Sequence, residues 1–216
     1  MIGFVTGFGA EAALLRAVGG RVVMMAGGRP DRALALAREL AAAGATGLVS
    51  FGIAGGLDPE LAPGALVIGD SVWSEAGRLD ADPAWAARLA AALPAARIAP
   101  IAAAAGEVAT LAAKRALHQA SGGVAVDLES WGVAQAAAEY GLPWAVLRAV
   151  ADSARRPLPP AAAGGLDDQG RVRLGAVLLS LAKDPTQLPG LIRVGLDTAA
   201  ALKTLVKAAA ALEEGI

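Results

Sequence analysis

Short runs of Val, Ile and Leu alternate along the chain with alanine-rich stretches whose apolar positions recur every three or four residues. That alternation predicts a mainly parallel sheet flanked by helices. IGFVTG reads as a first strand, AEAALLRAVG as a helix ended by glycine, and RVVMMAG as a second strand. PDRALALARELAAAG is helical, with Pro30 in its first turn and Gly44 as its stop. TGLVSFGIAGGL predicts a strand running into a glycine turn, followed by the strand ALVIGDSVWS and the helix PAWAARLAAAL. RIAPIAAA is then a strand, and EVATLAAKRALHQAS a helix ending before Gly122 and Gly123.

GVAVDL, LESWGVAQAAAEYG and LPWAVLRAVAD predict strand, helix and strand, a βαβ unit with a right-handed crossover. SARRPLPPAAAGGLDDQG is rich in Pro, Gly and charge, which predicts a mobile loop over 153–170. Residues 171–216 complete the chain with two helices, RVRLGAVLLSLAKD and, after Pro189, a long one with apolar residues at Leu191, Leu196, Leu202, Leu205 and Leu212. The expected architecture is one domain over 1–216, a three-layer αβα fold with a mixed, mainly parallel sheet and extra C-terminal helices. No internal repeat is visible.

Composition narrows the chemistry. With 19 basic and 20 acidic residues among 216 and a pI near 5.9, the chain lacks the positive field that sequence-independent nucleic-acid binding requires. It has no cysteine and a single histidine, His118, which removes thiolate chemistry, disulfides and most metal or histidine-base mechanisms. Neither metal nor cofactor is expected. Mean hydropathy is high at +0.52, but alanine dominates it, and the uncharged run AAAGATGLVSFGIAGGL is broken by glycines, so no transmembrane segment is expected. The N-terminus carries Glu11 within its apolar part and no positive region, unlike a signal peptide, which places the protein in the cytoplasm. Carboxylates, arginines and backbone must carry any reaction.

Three stretches qualify. In GFGAEA, Gly7, Gly9 and Ala12 fit a dinucleotide fingerprint between strand and helix, but Glu11 would stand where a pyrophosphate must lie. An acid complementing the helix dipole is the plainer alternative. SFGIAGGLDPEL ends a strand in glycines whose backbone N–H groups allow close approach of a ligand, or form only a turn. In AVDLESW, Asp127 and Glu129 lie where a strand gives way to a helix, and WAVLRAVAD places Arg148 and Asp152 four apart, on one face of a strand. An arginine inside an apolar strand needs counter-ions, for which Glu129, Asp127 and Glu11 are the candidates. A buried ion pair with a helix cap from Asp127 or Ser130 would suffice to explain them.

Glu11 before LLR, GIAGGL after a strand, VDLESWGVAQAAAEYGLP and LRAVAD occur in an order and spacing that resemble the purine nucleoside phosphorylase and methylthioadenosine/S-adenosylhomocysteine nucleosidase superfamily over about residues 1 to 155. The remaining third looks like the hopanoid-associated branch. The resemblance implies the nucleoside phosphorylase fold and cleavage of the N-glycosidic bond of a 5′-modified adenosine, with adenosylhopane giving ribosylhopane and adenine. It implies a small nucleoside partner, extended by a hopanoid tail, and a homo-oligomer.

Carried over by position, the resemblance makes Asp152 the acid that protonates the purine at N7, Glu11 the base that activates water, and Arg148 their link. Glu129, with Leu128, would bind the ribose hydroxyls. Gly52, Ile53, Ala54 and Gly55 would line the nucleophile and sugar, while Val108 and Trp131 would stand in for the base-stacking aromatic missing around IAAAAGEV. Ile53 stands where many relatives have serine or threonine, Ser50 where phosphorylases often have a phosphate-binding arginine, and Ala151 where a serine is common. The departures at Ile53 and Ser50 weaken a phosphate site and, with Glu11 retained, favour hydrolysis over phosphorolysis. Arg29 in AGGRPDR keeps a phosphate site open, with phosphate as co-substrate. A phosphate-dependent phosphorylase, or a non-catalytic nucleoside- or lipid-binding protein, are the alternatives. For a lipid tail, Val177, Leu178, Leu181, Leu191 and Leu196 offer an apolar exit, or ordinary helix packing.

Overall fold

A computed structural model describes residues 1–19, 21–162 and 173–215. The expected alternation is present. Strands β1 (Ile2–Thr6), β2 (Val22–Met25), β3 (Gly47–Gly56), β4 (Leu66–Ser74), β5 (Gly77–Asp80), β6 (Arg97–Ala103), β7 (Ala125–Asp127) and β8 (Trp144–Asp152) form one mixed sheet of eight strands. Between them run helices α1 (Gly9–Ala17), α2 (Pro30–Ala42), α3 (Pro83–Ala92), α4 (Leu111–Ser121) and α5 (Ser130–Tyr140), with α6 (Leu174–Lys183) and α7 (Leu188–Gly215) after β8.

Successive residues of the central strands point to opposite faces, which divides the core in two. Val5, Leu48 and Val146 pack with Ala37, Leu40, Val133 and Ala137 of α2 and α5. Phe4, Val49 and Leu147 pack on the other side with Leu15, Leu89, Leu205 and Leu212 of α1, α3 and α7. The result is the three-layer fold with a long C-terminal helix. Among the described residues no helix is long and apolar enough to cross a membrane.

Two elements depart from the pattern read in the sequence. β7 and β8 are not a parallel βαβ unit. β8 runs parallel to β3, whereas β7 runs antiparallel to β3 and parallel to β6. The reason is closure: β3 pairs with β8, β8 with β4, β4 with β6, β6 with β7, and β7 returns to the far end of β3 at Gly55 and Gly56, so five strands form a ring. The three-residue β7 is the closing piece. The second departure is α4, which begins at Leu111 rather than Glu107, because the Thr110 hydroxyl accepts the Ala113 N–H and fixes the helix start there. Gly106, Glu107 and Val108 are thereby left to line a cavity.

The loop expected over 153–170 is described only as far as 162. In that part Leu158 N donates to Ala109 O at 2.8 Å, and Arg156 Nη2 to Asp197 Oδ2 at 2.6 Å. The remainder of that expectation lies outside the described residues.

α2 and α5 cross at Gly132, where a Cβ would lie 2.6 Å from Leu34 N and 3.1 Å from Pro30 O. Backbone cannot yield as a flexible side chain can. Gly132→Ala is therefore expected to cost about 1–3 kcal/mol, and a fall in melting temperature of less than about 2 °C would show that the helices separate freely.

Candidate active site

The site is built around Arg148. Its side chain leaves the middle of β8 toward the α2–α5 layer and is fully buried. Nε donates to Asp127 Oδ2, and Nη2 to Ser50 Oγ at 2.6 Å and Ser130 Oγ at 3.1 Å, with Glu129 Oε2 3.6 Å away. Asp127 also starts α5: its Oδ1 accepts the Glu129 and Ser130 N–H groups at 3.1 and 2.9 Å, and its Oδ2 accepts the Ser130 hydroxyl. Asp127 is thus a helix cap and the direct partner of the arginine. Among the described residues Arg148 Nη1 and Thr6 Oγ1 are buried without a partner.

Glu11 approaches from α1. One carboxylate oxygen accepts Gly7 N and Phe8 N at 2.9 and 2.8 Å, and the other accepts Ile53 N at 2.8 Å. This arrangement depends on bare backbone around the carboxylates. A Cβ on Gly52 would lie 2.7 Å from Glu11 Oε1, and one on Gly7 would lie 2.8 Å from Glu129 Oε1 and 3.4 Å from Glu11 Oε2. Gly7 therefore marks where the Glu11 and Glu129 carboxyls converge. The glycines of GFGAEA serve this approach, and a carboxylate already occupies the helix start that a pyrophosphate would need.

Three buried carboxyls share one buried guanidinium. For Glu129 and Glu11 burial disfavours the charged form more than Arg148 favours it. Glu129 is raised from its ordinary 4.5 to about 8, by burial and by the charges of Asp127 and Glu11, against the pull of Arg148. Glu11 is raised by burial, opposed by the Ile53 N–H and by Arg148. Burial also opposes the Arg148 cation, but Asp127, Glu129 and Glu11 together lift its pKa further.

A cavity of about 220 Å³ opens over this cluster. Asp152 stands in its wall at the end of β8, beyond a bulge: Ala54 pairs with Val150 and Gly55 with Asp152, leaving Ala151 over. The bulge breaks the two-residue repeat that would put Arg148 and Asp152 on one face, and bulges commonly re-aim a side chain. Asp152 Oδ1 bonds Lys114 Nζ, and the lysine also donates to Ser153 O at 2.9 Å and Arg156 O at 3.2 Å. Burial raises the Asp152 pKa, and the Lys114 charge offsets part of that rise.

The family model described as the phosphorylase superfamily matches residues 6–183. The chain belongs to the phosphorylase superfamily. Solved structures with the same fold include the 5′-methylthioadenosine/S-adenosylhomocysteine nucleosidase of Neisseria meningitidis in complex with methylthio-immucillin-A, 16% identical, TM-score 0.77, covering 100% of this chain and 99% of that one. The futalosine hydrolase of Helicobacter pylori strain 26695 is 15% identical, TM-score 0.73, with 99% and 95% covered. The S-adenosylhomocysteine nucleosidase of Streptococcus pyogenes in complex with 5-methylthiotubericidin is 19% identical, TM-score 0.67, with 95% of each chain covered. No curated protein matches the sequence.

On this phosphorylase-superfamily fold, Ile53, Ala54, Gly55, Val108, Leu128, Glu129 and Asp152 all line the cavity. Glu11, Gly52 and Arg148 are not among its lining residues, and Glu11 and Arg148 are 1% and 0% exposed. Trp131 lies instead in a neighbouring, mostly apolar cavity of about 380 Å³ that shares Val108 and Leu128 with the first. Arg29 pairs with Asp31 at the surface, its side chain 51% exposed, and lines neither cavity. Val177, Leu178, Leu181, Leu191 and Leu196 are also absent from the lining, to which α7 contributes Val194 and Thr198. Sequence reading missed Lys114, inside an ordinary-looking helix, and Phe8, an aromatic in the cavity wall within the very motif that drew attention.

The Glu129 shift carries a stability consequence. Between about 4.5 and 8 the folded protein holds a proton that the unfolded chain has lost, so this contribution is complete below the unfolded pKa and disappears as pH rises through the folded one. Glu129→Gln should therefore melt above the unsubstituted protein at pH 9, with the advantage shrinking toward pH 4. A difference constant across that range would contradict the shift.

Proposed function

We propose that the protein hydrolyses the N-glycosidic bond of a 5′-modified adenosine, releasing adenine, and that adenosylhopane is the substrate from which it forms ribosylhopane. The observation that carries the hydrolysis is the arrangement of acids about one small cavity, with Glu129 and the underlying Glu11 and Arg148 on one side and Asp152 beyond the bulge of β8. Cleavage needs a proton for the leaving base and an oxygen for C1′. Asp152, whose hold on a proton burial strengthens, gives its proton to N7 as the C1′–N9 bond breaks. Glu11, a stronger base for its own burial, takes a proton from the attacking water. Arg148 Nη1 and the Thr6 hydroxyl, both buried and unpaired, supply polar partners of the kind an ordered water needs.

Glu129 with Leu128 holds the ribose hydroxyls. Its negative form stabilises the positive charge that develops on the sugar in the transition state. Ala54 and Gly55 flank the sugar, and Val108 packs against the base. The superfamily resemblance and the nucleosidase folds support this assignment of roles. Phosphorolysis is disfavoured because Ser50 brings no cation and Arg29 pairs with Asp31 at the surface, outside the lining of the cavity. Leu158, Ala162, Val194 and Thr198 form the remaining wall, mostly apolar, and suit a hydrocarbon on the 5′ position.

The test is incubation with adenosylhopane and with methylthioadenosine, each with and without phosphate, measuring adenine and the sugar product. Adenine release at a phosphate-independent rate, without sugar phosphate, is the expected result. Asp152→Asn and Glu11→Gln should each lower that rate by roughly 10²–10⁴-fold. A requirement for phosphate would establish the phosphorylase alternative, and adenine release no faster than in the absence of protein would establish a binding protein. Preference for methylthioadenosine over adenosylhopane would overturn the lipid substrate alone.

A further inference from the structure

Lys114 is a fully buried lysine, 1% exposed, projecting from α4 into the region behind Asp152. Its ammonium has three hydrogens and three acceptors: Asp152 Oδ1, Ser153 O at 2.9 Å and Arg156 O at 3.2 Å. An ammonium has no lone pair to accept a proton in return. The Asp152 oxygen that faces it must therefore present a lone pair, and any proton on that carboxyl belongs to the other oxygen. That other oxygen, Oδ2, lies 3.1 Å from the Cβ direction of Gly55, a residue of the cavity wall.

We propose that Lys114 is a positioning residue for Asp152, which holds Oδ1 so that the acidic proton sits on Oδ2 and faces the cavity. The assignment rests on the proposed role of Asp152 as the acid. Two backbone carbonyls fix the ammonium from the segment that follows β8, so the acid and the start of that segment are held by one cation. The charged groups around Asp152 are Lys114 from α4, Arg156 from the following segment and Asp197 from α7. Arg156 and Arg193 are themselves paired with Asp197, while Glu107 and Glu129 line the same cavity. Among the described cations Lys114 alone bonds Asp152 directly. Its removal should therefore raise the pH at which Asp152 loses its proton while freeing the carboxyl to rotate.

The test is a pH profile of adenine release from methylthioadenosine for the unsubstituted protein, Lys114→Met and Lys114→Arg, paired with ¹³C-carboxyl titration of Asp152 in the free proteins. Lys114→Met should lower kcat at least tenfold with little change in KM, and move the alkaline limb and the Asp152 titration upward by a unit or more. Lys114→Arg should return the limb toward its original position. In an Asp152→Asn background Lys114→Met should cause no further loss of kcat. The chain contains no cysteine, so Lys114→Cys, alkylated with 2-bromoethylamine while unfolded and then refolded, restores an ammonium at one site. That adduct keeps the test decisive if the Met variant does not fold. An unmoved limb and titration, or an equal loss of kcat in the Asp152→Asn background, would overturn the inference. If the unsubstituted protein releases no adenine, the enzymatic role of Asp152 fails, while the titration still decides whether Lys114 governs that carboxyl.

Discussion

One buried cation faces three buried carboxyls. Arg148 cannot neutralise Asp127, Glu129 and Glu11 together, and leaving it without partners in the core would cost several kcal/mol. The structure resolves this by treating the three acids differently. Asp127 makes the direct bond to the guanidinium and caps α5. Glu11 is surrounded by three backbone N–H groups, which compensate a carboxylate without another cation. Glu129 has Arg148 at 3.6 Å, and burial together with the Asp127 and Glu11 charges drives its pKa to about 8.

The sheet topology makes that cluster available to a ligand. If β7 and β8 were neighbours in an open parallel sheet, the acids after β7 and the arginine of β8 would be related by an ordinary crossover. Instead the ring of five strands closes through the end of β3, so Gly55 and Gly56 pair with Val126 and Ala125 just above the buried charges. The same end of β3 carries the register shift that leaves Ala151 unpaired and separates Asp152 from the Arg148 cluster. Closure and bulge together give two acidic regions, one beneath the cavity floor and one in its wall.

Much of this was legible in the chain, and what was not has physical reasons. Strand and helix order followed from period, and the need of Arg148 for counter-ions followed from an arginine set in an apolar strand. Asp127 as cap and partner was readable from its place before Glu129 and Ser130. The antiparallel course of β7 was not readable, because a three-residue strand carries no directional signal and ring closure is a long-range property. The bulge at Ala151 was hidden for the same reason, and with it the different surroundings of Arg148 and Asp152. Lys114 looked like one more solvated lysine, since nothing in LAAKRALHQAS shows that this position turns inward toward a strand end far along the chain. Trp131 drew attention as an aromatic near the acids, but a helical position one residue on from Ser130 points into the adjoining apolar cavity.

The two acidic regions raise their pKa values for one reason, burial, yet their compensation differs in kind. Asp152 has a lysine of its own, whose charge offsets part of the rise that burial causes. Glu11 and Glu129 have only a share in Arg148, so the floor of the cavity stays short of positive charge. In the proposed reaction, a site with that balance becomes more favourable as the sugar turns cationic, while it offers a phosphate dianion no added positive charge. Discrimination between water and phosphate then requires no dedicated gate. It follows from Ser50 bringing no cation of its own and from Arg29 being paired with Asp31 at the surface.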